Sequence, residues 1–102
     1  MTTDFQEITG ITGDGNYEFS NVSNQAGGLL LLGIQGVPDG ATLQLEYSVD
    51  NGSTWYPYSG GIYTDTYTGR FESLGMNRVV VSSAGASTNI TLQLRRIYTH
   101  LI

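Results

Sequence analysis

The sequence predicts an all-β protein: a jelly-roll-like β-sandwich of about eight or nine short antiparallel strands, in a single domain covering residues 1–102. Three observations lead there. Fourteen glycines and abundant Ser, Thr and Asn, with only two prolines, describe strands and turns. Good helix formers are sparse and rarely recur at helical spacing. Turn signals (GDGN, NQAGG, GVPDG, DNG, SGG, TGR, LGMN, SAGAS) fall at short regular intervals, as in sandwiches and jelly rolls.

Two segments alternate cleanly. In ATLQLEYSV, Ala41, Leu43, Leu45, Tyr47 and Val49 point one way, and Thr42, Gln44, Glu46 and Ser48 the other. In TNITLQLRR, Ile90, Leu92 and Leu94 oppose Asn89, Thr91, Gln93 and Arg95. Both are half-buried strands with a wet outer face. Further strands are expected over residues 5–9, 17–22, 29–34, 54–58, 62–66, 70–73 and 78–82. Leu29, Leu30, Leu31 and Leu32 break the alternation, because a sandwich strand buries only one face against the opposing sheet. The second face needs a cover. The apolar chain end with Leu101 and Ile102, or another subunit, would supply it, making these six residues candidate subunit contacts.

Composition narrows the function classes. There is no cysteine, hence no disulfide, cysteine-based zinc site or thiol catalysis. Net charge is −5, with four arginines and no lysine, so no basic stripe for nucleic acid and no polybasic membrane anchor is expected. The first ten residues lack the pattern of a signal peptide, and GGLLLLGIQGV is about half the length of a membrane-spanning helix. The reading is a chain made in a cytoplasm. His100, the single histidine, near the chain end, reads as a terminal polar residue. Glu46 and Glu72 read as a solvated face, and Gly13–Asp14–Gly15–Asn16 as a turn, not half a calcium loop. No catalytic residue, cofactor or metal is expected.

Asn51–Gly52 inside an alternating pattern signals a hairpin. A two-residue turn sets Ser48 opposite Trp55 and places the indole on the polar face. A three-residue loop sets Tyr47 opposite Trp55 and turns the indole inward. Ser48, Asp50, Gly52, Thr54 and Trp55 match the Asp-box pattern S-x-D-x-G-x-T-W position for position. The resemblance implies a hairpin whose aspartate ties the turn to backbone donors and whose aromatic packs inside, so it favours the inward tryptophan. Tyr56, Tyr58, Tyr63 and Tyr67 follow within one short stretch. They are either a surface for a partner or glycan, or the lining of a strand pair.

Residues 40–97 resemble small virion proteins of tailed bacteriophages. The resemblance rests on the GATLQLEYSVDNGSTW strand and hairpin, the Tyr-rich connection, GMNRVVVS, the SAGAST turn and the final NITLQLRR strand. It implies a β-sandwich that decorates the capsid or attaches to the tail, located in the virion and acting through inter-subunit contacts. Capsid or other virion proteins would be its partners, and it would form a homo-oligomer, a trimer being favoured. The alternative is a tail-fibre or receptor-binding module that recognises carbohydrate through exposed tyrosines.

Overall fold

The computed structural model describes residues 5–20 and 28–97. The proposed contact residues Leu101 and Ile102, together with His100, lie outside them, as does the end of the strand expected over 17–22.

Eight strands form: β1 (Phe5–Ile11), β2 (Gly15–Glu18), β3 (Leu29–Val37), β4 (Thr42–Ser48), β5 (Tyr56–Tyr63), β6 (Tyr67–Glu72), β7 (Met76–Ser82) and β8 (Asn89–Arg96). They make two four-stranded sheets, ordered β1-β8-β3-β6 and β2-β7-β4-β5, with every pairing antiparallel. The pairings β1·β8, β2·β7, β3·β6 and β4·β5 nest as one long hairpin. Rolling that hairpin brings β3 against β8 and β4 against β7. This is the jelly roll, two sheets with Greek-key connections. The β4–β5 turn is the apex of the nested ribbon.

The core follows from period-2 alternation. Leu30, Leu32, Ile34, Ile90, Leu92 and Leu94 of the first sheet face Leu43, Leu45, Val79 and Val81 of the second, all fully buried. Ile11, Phe19 and Ala41 complete this cluster. Full burial of each large aliphatic side chain is worth roughly 1.5–3 kcal/mol.

Two expected strands, 54–58 and 62–66, prove to be one. β5 continues through Ser59–Gly60–Gly61, where its register against β4 shifts between the partners of Gln44 and Glu46. Gly60 takes φ +73, a conformation open to glycine, which lets the strand bulge instead of breaking. Residues 64–66 instead form the connection to β6, where the Asp65 carboxylate accepts from the Thr66 N–H at 2.7 Å.

Candidate functional site: the hairpin apex and its apolar rim

The apex turn is built from Asp50–Asn51–Gly52–Ser53. The Ser53 N–H donates to the Asp50 carbonyl, and Asn51 and Gly52 have φ +66 and +89. Positive φ at both central residues is the type I′ signature, for which Asn-Gly is the preferred dipeptide. The adjoining ladder pairs Tyr47 with Tyr56 and Glu46 with Pro57. The two-residue register is therefore the one adopted, and the inward tryptophan expected from the Asp-box resemblance is corrected.

Trp55 lies on the outer face of the second sheet, half-buried. The Arg78 guanidinium carbon sits 4.3 Å from the indole centroid, and Arg78 is ion-paired with Glu46 at 2.8 Å. Arg78 and Glu46 face each other across β7 and β4, on the side opposite the core. The indole N–H is used internally, donating to the Gly52 carbonyl at 3.0 Å. So Trp55 is neither a free platform nor a core plug. It covers a partly buried ion pair and clamps its own turn.

The remaining Asp-box residues satisfy the turn. The Asp50 Oδ1 accepts from the Ser48 hydroxyl at 2.7 Å and from the Thr54 N–H at 2.8 Å. The Ser48 Oγ in turn accepts the N–H groups of Gly52 at 2.8 Å and Asp50 at 3.3 Å. The Ser48 and Thr54 donors hold the Asp50 carboxyl below the usual aspartate range.

The four tyrosines separate into two groups. Tyr58 points between the sheets, 5.0 Å from the Tyr47 ring and edge-to-face with Phe71 at 5.3 Å. Its hydroxyl donates to the Asn77 Oδ1 at 2.6 Å and accepts the Leu74 N–H at 2.9 Å. Burial raises the Tyr58 hydroxyl above its ordinary pKa. Asn77 donates on to the Ser73 Oγ at 3.0 Å, and Ser73 donates to the Gly75 carbonyl at 2.9 Å. This buried chain of polar groups ties β5, β7 and the β6–β7 connection together. Tyr63 and Tyr67 stack at 4.3 Å at the β5–β6 connection, where burial and then the neighbouring Tyr67 raise the Tyr63 hydroxyl. Tyr56 leans on Tyr47 at 5.8 Å and is well exposed.

Exposed apolar side chains collect around that apex. Val49 is 71% exposed, Tyr56 48% and Leu74 40%. Leu74 adjoins the Tyr58 hydroxyl, Tyr58 packs on Tyr47, and Tyr47 packs on Tyr56. Gly75 runs so close to the Ser48 carbonyl that a side chain there would meet it, bringing Val49 alongside Leu74. These three exposed side chains lie near one another, where the β4–β5 and β6–β7 connections meet.

The leucine run divides by face. Leu30 and Leu32 are fully buried in the core, so they are removed from the candidate subunit contacts. Leu31 is half-buried and Leu29 exposed on the outer face of the first sheet. Leu31 stands between Arg70 and Arg95 in the ladder, and the Arg95 guanidinium lies 5.4 Å from the Phe5 ring.

The loop acids act on backbone. The Asp14 carboxylate accepts from the Ala84 N–H at 2.9 Å, and Asp39 from the Ser87 N–H at 2.7 Å. The Thr88 hydroxyl donates to the Pro38 carbonyl and accepts from the Gly85 N–H, both at 2.8 Å. Among the described residues no three acidic or histidine side chains gather as metal ligands would. Compared with known proteins, the chain matches no family model, no curated protein and no solved structure.

Sequence reasoning missed Arg78, Asn77 and Ser73, and it read Glu46 as part of a solvated face, whereas Glu46 is half-buried and ion-paired with Arg78. Arg78 and Glu46 carry a usable signal, being opposite charges on the wet faces of two strands. Asn77 and Ser73 carry none, since a polar residue at a strand end is indistinguishable from a turn residue until its burial is known.

Proposed function

We propose that this chain is a non-enzymatic virion structural protein, a capsid decoration or cement subunit that stabilises a phage shell through contacts across neighbouring subunits. The resemblance of residues 40–97 to small phage virion proteins supports this reading. So does the jelly roll, an architecture that recurs in viral capsid proteins. The observation that carries it is the grouping of exposed Val49, Tyr56 and Leu74 at one end of the fold, beside a hairpin cross-braced by Asp50, Trp55 and Arg78. Grouped exposed apolar side chains favour protein contacts, and a braced backbone loses little entropy on docking. Binding only the mature shell would stabilise that shell by mass action.

Glycan recognition by a tail-fibre module is the second reading, with the exposed Tyr56 ring in its favour. One experiment separates the two. Purified protein is mixed with empty mature shells and, in parallel, with a panel of host-cell glycans. Shell binding lost in Val49→Asp and Leu74→Asp, with no glycan signal, is the expected result. Glycan binding abolished by Tyr56→Ala, without shell binding, replaces the first reading with the second.

A further inference from the structure

Each sheet ends on two edge strands, and three of these four edges carry a feature that blocks pairing. β1 shifts register between Ile8 and Ile11, with Gly10 at φ +69. β2 is only four residues long. β5 contains Pro57, which has no N–H, and the Gly60 bulge. Short strands, bulges and proline are the usual means of keeping an edge from templating another chain. β6 has none of them. It runs unshifted against β3 from Tyr67↔Ile34 to Glu72↔Leu29 and is the outermost strand of its sheet among the described residues.

The hydrogen bonds reveal which backbone groups of β6 point outward. The Ser73 N–H donates to the Gly28 carbonyl at 2.7 Å, so Ser73, Phe71 and Gly69 direct their backbone groups toward β3. By the alternation of an antiparallel ladder, Thr68, Arg70 and Glu72 direct theirs away from the sheet. The partner strand agrees. The Leu29 carbonyl accepts from Ile97 at 2.9 Å on the β8 side, which leaves Leu30 facing Phe71. Thr68, Arg70 and Glu72 are all exposed.

We infer that β6 is a self-association edge, pairing antiparallel with β6 of a second copy about a two-fold axis and fusing two four-stranded sheets into one of eight strands. An axis perpendicular to the sheet preserves its faces, so only residues of like facing can pair. Centring on Arg70 sets guanidinium against guanidinium, and centring on Glu72 sets carboxylate against carboxylate. Centring on Gly69 leaves both charges unmatched and meets the Tyr67 hydroxyl folded over that glycine. Centring on Phe71 places each Arg70 opposite Glu72 of the second copy, twice. The same register makes those residues the hydrogen-bonded pairs, with four backbone hydrogen bonds from groups that already point outward. Phe71 then meets its own copy at the closely spaced position, on the side where it packs against Tyr58.

Self-complementary charge thus selects a second copy of this chain as occupant of the edge. The pairing is two-fold, in place of the three-fold assembly favoured from sequence. It is a small interface of the weak class, and it goes beyond the shell reading because it is measured without any shell.

Charge reversal tests it. Sedimentation velocity at low salt, over concentrations up to about 1 mM, should show the wild-type chain in monomer–dimer exchange. Arg70→Glu and Glu72→Arg should each weaken the dimer roughly tenfold or more, because both symmetry-related pairs become repulsive. The double reversal should restore it. Among the described residues neither side chain makes an ion pair within its own chain, so circular dichroism and melting temperature should stay at wild-type values. A wild-type chain still monomeric at about 1 mM, an Arg70→Glu dimer as strong as wild type, or a double reversal that fails to recover would each overturn the proposal.

Discussion

The Arg78 guanidinium lies against the face of the Trp55 indole, 4.3 Å from its centroid, while bonding Glu46 through both Nε and Nη2 at 2.8 Å. One cation thereby joins the apex of the hairpin to the middle of the second sheet. Removing it leaves a partly buried carboxylate unpaired and an indole without its support. Arg78→Met should destabilise the fold by about 1–3 kcal/mol, measured by urea unfolding. It should also shift tryptophan emission to the red and increase acrylamide quenching. Unchanged emission would mean that Trp55 rests on something other than Arg78.

Ser48 is buried and satisfies two N–H groups of the turn while orienting Asp50. Ser48→Ala should cost about 1–2 kcal/mol, since the Gly52 N–H loses its acceptor. Gly52→Val should cost about 1 kcal/mol or more, because φ +89 is strained for a β-branched residue. Equilibrium unfolding of both variants checks these values.

The Asp50 carboxyl titrates below its ordinary value of about 3.9 because of its hydrogen bonds from Ser48 and Thr54. A depressed folded pKa gives stability that is present above the unfolded value and lost as pH falls through the folded one. The stability gap between wild type and Asp50→Asn should therefore be constant near neutrality and narrow below about pH 4. Stability curves collected from pH 7 to pH 2 test this. A gap that persists unchanged at the acid end would show that the charge of Asp50 is irrelevant to the turn.

The Tyr58–Asn77–Ser73 chain is buried and fully satisfied. Asn77→Leu should cost about 2–4 kcal/mol, because the Tyr58 and Ser73 hydroxyls lose their partner in a low-dielectric interior. Burial also raises the Tyr58 pKa. Its contribution is complete below the unfolded value of about 10 and is lost as pH rises through the folded one. Tyr58→Phe should accordingly flatten the alkaline limb of the stability curve above about pH 10, at the expense of about 1 kcal/mol near neutrality.

Gly36 has φ +100, and a side chain there would run into the Asn89 carbonyl across the β3–β8 ladder. Gly36→Ala should cost more than the 1–3 kcal/mol of backbone strain alone, because the ladder must also open. Thermal unfolding gives the value, and retention of wild-type stability would show that this end of β3 can slide away.

The sequence by itself determined the all-β class, nearly every strand and most of the core. Alternation, turn residues and glycine placement are local, and they send Leu43, Leu45, Ile90, Leu92 and Leu94 inward; at the end of β4 the expected phase fails, because Ser48 is buried under the turn it bonds while Val49, past the strand, is exposed. Local chemistry also placed a hairpin turn at Asn51–Gly52. Tertiary structure decided what local pattern leaves degenerate. The facing of the leucine run was open, because four consecutive apolar residues read the same in either phase; pairing with β6 and β8 buried Leu30 and Leu32. The merging of two short strands into β5 required the Gly60 bulge against β4. The place of Trp55 turned on a register difference of one residue. On that outer face the indole meets Arg78, twenty-three residues away in sequence and brought alongside only when β7 pairs with β4. A hairpin read alone contains no partner for its indole; the sheet supplies one on the wet face, and there an aromatic ring over a guanidinium is stable without entering the core.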